Sequence, residues 1–233
     1  MVLLEAQANV NICDEWGQTP LHKAAANKSG NLAIVQQLIK HGAAIDLCDD
    51  GGDTVLHHAL TGGSILCIKL LVEAQTDVNA ANIQGMTPLH RAAARDDATI
   101  LKCLLDLGAS VEQTTKTGFT VLMSACLLGS HFQEKLEILL AAGADLHALD
   151  CYNHSVLVWA MYLEPRPDLL RFLLEQGADP KLGVSPLSYA VSQLAEDKTE
   201  NFEGINKQAK EEWLVRKRNW EACIQILKES GAE

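Results

Sequence analysis

Apolar residues in this chain fall into short clusters, and the clusters recur. A hexad that opens on Thr or Ser and ends on Ala appears six times: TPLHKA from Thr19, TVLHHA from Thr54, TPLHRA from Thr87, TVLMSA from Thr120, SVLVWA from Ser155 and SPLSYA from Ser185. The starts are separated by 35, 33, 33, 35 and 30 residues. Each hexad is followed by a second apolar run that ends in a turn: LIKHGAAID from Leu38, LVEAQTDVN from Leu71, LLDLGASVE from Leu104, LLAAGADLH from Leu139, LLEQGADPK from Leu173 and LKESGAE from Leu227. The leading Thr or Ser stands just before helix-forming residues, where its hydroxyl accepts from an orphan N–H of the first turn and caps a helix. Proline at 20, 88 and 186 follows at the first helical position, where its missing N–H costs nothing. Gly42, Gly108, Gly143, Gly177 and Gly231 end the second runs, where a left-handed residue closes the last helical turn.

The period and the T-P-L-H-x-A signature resemble the ankyrin-repeat family, and the resemblance extends over nearly the whole chain. It implies an all-α solenoid whose units are a β-turn finger and two antiparallel helices. On that register residues 1–233 form a single ankyrin-repeat domain. Residues 1–13 are the end of a truncated repeat, five repeats occupy 14–48, 49–81, 82–114, 115–149 and 150–183, and 184–233 is a terminal repeat with an inserted segment near 195–219. The resemblance also implies that His22, His57 and His90, which share one repeat position, tie neighbouring fingers by hydrogen bonds. Met123, Val158 and Ser188 take that place later, so the network is expected to fade toward the C-terminus.

Several positions depart from the pattern. Gln75, and Gln7 in the partial first unit, stand where the other units have glycine, and a left-handed non-glycine residue costs about 1–2 kcal/mol, which predicts weaker joints there. LLEAQANVN from Leu3 matches only the end of a second helix and its turn. Val2, Leu3 and Leu4 make a poor polar cap, so a piece of a longer protein is expected, with a natural start at Met1 as the alternative. The terminal unit holds about 25 extra residues. Ala195 to Gly204 has the composition of a loop. From Ile205 onward Ala209, Trp213, Trp220, Ile224 and Leu227 recur at helical spacing, predicting a final helix extended backwards, with Trp213 and Trp220 shielding the end of the stack.

Composition narrows the function. Hydrophobic residues make up 48% of the 233 and aromatic ones only 5%, which suits thin helical layers of Leu, Ala, Ile and Val. A formal net charge of −11 opposes general affinity for nucleic acid or anionic lipid, leaving another protein as the partner. Seven single cysteines without a CxxC pair read as reduced residues of a cytoplasmic or nuclear protein. No cofactor or metal motif occurs: there is no phosphate loop, nucleophile elbow or HExxH. His57 and His58 diverge by about 100° on a helix, too far to share a metal easily. Asp49 and Asp50 beside Gly51 and Gly52 lack the further oxygen ligands of a calcium loop and read as a turn. Arg216, Lys217 and Arg218 lie among Glu211, Glu212 and Glu221 and read as a solvated helix face.

A non-enzymatic, monomeric protein-binding module is therefore expected, acting as scaffold, adaptor or inhibitor. The alternative is a substrate-recognition or regulatory region of a longer multidomain enzyme; a purely structural spacer is a further rival. The resemblance places binding on the concave side, formed by finger tips and first helices. There the register puts Trp16, Lys23, Met86, Arg91, Phe119, Tyr152, Trp159 and Tyr162. Large rings on wet finger tips call for a reason. An apolar groove at Phe119, Tyr152, Trp159 and Tyr162 would take a hydrophobic or aromatic anchor, with Trp16 a second contact and Lys23 and Arg91 meeting acidic groups. Packing beneath the inserted segment is the competing explanation for those rings. Asn79 and Asn11, each eight positions after a leucine, resemble sites of asparagine hydroxylation and are also ordinary turn residues.

Overall fold

The computed structural model describes residues 8–27, 32–127, 132–196 and 207–232. Gln7, Leu3 and most of the loop expected at 195–204 lie outside these residues. The chain divides into two compact units, Met1–Lys116 and Thr117–Glu233.

In the first unit three helix pairs follow one another: α1 (Pro20–Ala25) and α2 (Leu32–Lys40), α3 (Val55–Gly62) and α4 (Ile65–Glu73), α5 (Pro88–Ala93) and α6 (Ala98–Asp106). The first helices α1, α3 and α5 stack in order, and α2 stacks on α4, giving two helical layers. The motif leucines Leu21, Leu56 and Leu89 are wholly buried, as are Val35, Ile68, Leu71, Leu101 and Leu104. Each such side chain contributes about 1.5–3 kcal/mol through burial. Buried Ala25, Ala59, Ala92 and Ala93 keep the short first helices slim enough to pack closely.

Fingers connect successive pairs and stack on one another through single backbone bonds. Asp50 N donates to Trp16 O at 3.1 Å, Ile83 N to Gly51 O at 3.1 Å and Lys116 N to Gln84 O at 3.0 Å. Side chains add a second tie. His57 is fully buried; its Nδ1 lies 3.2 Å from Thr54 N and 2.9 Å from Thr54 Oγ1, and its Nε2 lies 3.0 Å from Met86 O. Because Nδ1 must accept the Thr54 N–H, the proton sits on Nε2 and is donated to the Met86 carbonyl. The imidazole thus caps its own helix and holds the next finger. His22 and His90 make the same Nδ1 contacts to Thr19 and Thr87.

The second unit contains α7 (Val121–Leu127), α8 (Phe132–Ala141), α9 (Val156–Trp159), α10 (Pro167–Glu175), α11 (Pro186–Glu196) and α12 (Lys207–Glu229). First helices α7, α9 and α11 stack, as do second helices α8, α10 and α12. Here the Thr–His device lapses. Met123 Sδ replaces imidazole beside Thr120 N at 3.5 Å, and the buried Ser155 Oγ opposite Val158 has no partner among the described residues. Helix α9 is a single turn. Pro165 and Pro167 follow it closely, and each proline removes a donor and disfavours helix before it, so the chain turns directly into α10.

Two expectations about the terminal repeat are revised. Ala195 and Glu196 belong to α11 rather than to a loop. Helix α12 does extend backwards, over 23 residues, but only Trp220 is sealed, at 1% exposure with its ring 6.4 Å from Tyr189. Trp213 stays half-buried with Lys217 Nζ over its ring; it stands about two turns before Trp220, where the buried residues of α12 begin. Among the described residues no helix is long and apolar enough to cross a membrane.

Gln75 adopts φ 75°, the left-handed state that Gly42 and Gly108 reach at 84° and 91°. Gln75→Gly is expected to stabilise the chain by about 1 kcal/mol, since relief of the left-handed cost exceeds the added freedom of the unfolded chain. In thermal unfolding this is a rise of roughly 2–4 °C.

Candidate protein-binding face

One carboxylate or amide opens most fingers and organises the face around it. Asp14 Oδ1 accepts from Trp16 N and Gln18 N, Asp49 Oδ1 from Gly51 N and Asp53 N, Asn82 Oδ1 from Gln84 N and Met86 N, and Asp150 Oδ1 from Tyr152 N and His154 N. This Asx geometry fixes the finger turn. The second oxygen then reaches the first helix nine residues on: Asp14 Oδ2 meets Lys23 Nζ at 2.9 Å, Asp49 Oδ2 meets His58 Nε2 at 2.8 Å, and Asp150 Oδ2 accepts from Trp159 Nε1 at 3.0 Å. The residue that varies on the first helix is therefore oriented by its own finger.

In the first unit this face is charged. Arg91 pairs with Asp53, whose other oxygen accepts from Asn82 Nδ2 at 2.9 Å. Burial pushes the Asp49 carboxyl up, but the hydrogen bonds from His58, Asp53 N and Gly51 N outweigh it and hold the group below its ordinary range. Asp49, Asp53 and His58 bring three potential ligand atoms within 4.8 Å of one another. Every one of those side chains already has a partner, and Arg91 supplies the positive charge. Lys23 pairs with Asp14 and lies 5.0 Å over the Trp16 ring, itself 56% exposed. Lys23 and Arg91, expected from sequence to meet acidic groups, are thus both in internal pairs, although the Lys23 side chain remains 52% exposed. Met86 is half-buried, and its carbonyl is the one held by His57.

In the second unit the face is aromatic. Phe119 and Trp159 meet edge to face at 4.7 Å, Trp159 and Tyr162 lie 4.6 Å apart, His154 is 6.2 Å from Trp159, and Tyr152 is 5.9 Å from His154. Phe119, Tyr152, Trp159 and Tyr162, singled out from register alone, therefore form one cluster. Tyr152 and Tyr162 are 64% and 49% exposed, while Trp159 is held by the buried Asp150. Tyr162 stands in the turn after α9 rather than on the helix. Asp14, Asp49 and Asp150 were missed as organisers of the face. The signal was present: a fixed spacing of nine separates Asp14 from Lys23, Asp49 from His58 and Asp150 from Trp159. Asn11 and Asn79 tie consecutive turns, accepting from Ala44 N at 2.8 Å and Ser110 N at 2.7 Å.

Stacked helix pairs with fingers and an exposed, organised face define a repeat protein of the protein-interaction class. The family profile described as ankyrin repeats (3 copies) matches residues 1–82 and 75–150, and the chain belongs to the ankyrin-repeat family. It is similar to the chicken nuclear factor NF-kappa-B p105 subunit, 41% identical over 150 residues, covering 62% of this chain and 15% of that protein. It is also similar to mouse NF-kappa-B inhibitor delta, 31% identical over 209 residues, covering 77% of this chain and 63% of the relative. The Arabidopsis E3 ubiquitin-protein ligase KEG is 26% identical over 244 residues, covering 99% of this chain and 11% of the ligase. The chain thus spans less than two thirds of each of these relatives.

Proposed function

We propose that the chain is a scaffold, adaptor or inhibitor that holds a partner protein on the finger and first-helix face. The chief support is the second unit's ring cluster of Phe119, Trp159 and Tyr162, with Tyr152 at the finger tip. Trp159, held by the buried Asp150 carboxylate, and the rings packed on it lose little freedom on binding, and such aromatic anchors dominate the energetics of interfaces. Trp16, Lys23, Met86 and Arg91 are the contacts proposed on the first unit. A relative whose name is NF-kappa-B inhibitor delta supports the inhibitor form of this reading. The protein works as a monomer in the cytoplasm or nucleus on this reading, without nucleic acid or membrane.

The test is affinity capture from a cell extract with the native chain and with a Phe119→Ala, Trp159→Ala double variant, both checked for helicity by circular dichroism. A partner retained by the native chain and lost from the folded variant is the expected result. Equal capture by both moves the interface to Trp16 and α12. A second reading, the substrate-recognition region of a longer multidomain enzyme, draws on the match to the KEG ligase. An open reading frame that joins this stack to a catalytic domain would favour it.

A further inference from the structure

The first and fifth repeats share a three-position arrangement with one exchange. In the first, Asp14 caps the finger, Trp16 stands at its tip, and Lys23 Nζ lies 2.9 Å from the carboxylate and 5.0 Å from the ring centre. In the fifth, Asp150 and Tyr152 keep the first two places while Trp159 takes the third. The carboxylate and the exposed tip ring remain, and the ammonium between them is replaced by another ring. A second register relation shows the same exchange. The finger residue Asp53 meets Arg91 of the next first helix, whereas Phe119, in the place of Asp53, meets Trp159, in the place of Arg91.

Other rings of this protein are supplied with a cation from the chain itself. Arg166 lies 4.7 Å from the Phe132 ring centre and Lys217 Nζ 5.3 Å from that of Trp213. Among the described residues no Lys or Arg lies over Tyr152, Trp159 or Tyr162. The charged group shown against these rings is the Asp150 carboxylate. Asp150 is 6% exposed and accepts from Nε1 at the edge of the Trp159 ring. Among the described residues the basic group paired with Asp150 is His154, whose Nδ1 lies 3.4 Å from Asp150 Oδ2 and which is charged only when protonated. Ring faces attract cations, more strongly where a buried negative charge reinforces the field.

The geometry points to a site for a lysine or arginine side chain of the partner, seated over the Tyr152, Trp159 and Tyr162 rings in front of Asp150. This deepens the reading of the ring cluster as the partner surface and rests on it. The partner supplies in trans the cation that Lys23 supplies to Trp16 within the chain.

The test uses the whole chain, labelled so that the Trp159 indole N–H is resolved by NMR, at about pH 8, where imidazole is neutral. Short acetylated Gly/Ser peptides with one central Arg, Lys, Leu or Glu are the probes. The Arg and Lys peptides are expected to shift the Trp159 signal, and the Leu and Glu peptides to leave it in place. Tyr162→Leu is expected to weaken the Arg peptide about 2- to 30-fold. Trp159→Lys rebuilds the first repeat's arrangement; by isothermal titration calorimetry it is expected to lose the Arg peptide while keeping native helicity. An Arg peptide that leaves the signal unmoved, or that binds folded Trp159→Lys unchanged, overturns the proposal. A Leu peptide that shifts the signal more than Arg also overturns it, yet leaves the face itself standing as the partner surface. That surface fails only if the Phe119→Ala, Trp159→Ala variant still captures the partner.

Discussion

Gly52→Ala is expected to destabilise the first unit by about 3 kcal/mol, combining the left-handed cost with a backbone clash. Gly52 has φ 74°, and a Cβ placed there would lie 2.7 Å from Ile83 N and 3.2 Å from Asn82 C. That nitrogen donates the 3.1 Å bond to Gly51 O that joins the second finger to the third. The added methyl therefore meets the backbone of the neighbouring finger at Asn82 and Ile83 and pushes apart the groups the stack depends on. Gly108→Ala supplies the control: its φ is 91°, but nothing lies within 4 Å of the added carbon. It is expected to cost only about 1–2 kcal/mol, the conformational part alone. Urea unfolding of both variants separates strain from contact. Equal losses would show that finger stacking tolerates a methyl group and that the glycine is kept for its φ only.

The second large effect is expected from His57→Ala, at about 3 kcal/mol. The substitution leaves the Met86 carbonyl and the Thr54 N–H without their buried partner and opens a space in a wholly buried place. Its pH dependence is distinctive. Burial holds the His57 imidazole below its ordinary value of 6.5, and protonation would also place a proton on Nδ1 against the Thr54 N–H. The unfolded chain thus takes up a proton near pH 6.5 that the folded chain resists. Stability from this group is complete above that pH and falls as the pH drops through it. His22, held down by burial and by neighbouring His58, adds to the same slope. The native chain should lose stability on acidification from pH 7 to 5, and the His57→Ala variant should lose less over the same range. A variant with an unchanged slope would assign the acid sensitivity to groups other than His57.

Both effects act on the scaffold that aims the binding face. Asp49 and Asp150 hold His58 and Trp159 only while their fingers are closed by backbone bonds to Asp53 and His154. Loosening a finger releases the first-helix side chain it orients. Stability and binding are expected to decline together at Gly52 and His57, whereas exposed Tyr152 and Tyr162 contribute to binding with little effect on folding.

The repeat was legible along the chain because each unit's local chemistry is complete within about 33 residues. Thr19, Thr54 and Thr87 cap, Leu21, Leu56 and Leu89 bury, and Gly42, Gly108 and Gly143 close the second helices; all these roles follow from neighbours a few positions away. The strained joint at Gln75 was legible for the same reason. Phe119, Tyr152, Trp159 and Tyr162 could be placed near one another from register, since residues at like positions of successive units stack. Their partners could not. The pairing of Arg91 with Asp53, the contact of Phe119 with Trp159 and the bond from Trp159 to Asp150 depend on which oxygen or ring edge a rotamer presents across a stack of helices. That choice is made by packing between residues up to 40 positions apart, and no periodicity in the chain encodes it. Only with the fingers stacked does it emerge that the first unit pairs Lys23 and Arg91 within its own face while, among the described residues, no Lys or Arg lies over Tyr152, Trp159 or Tyr162 of the second. Charge and aromatic content were visible from the start; which groups spend themselves inside the molecule became visible only when the fingers were stacked.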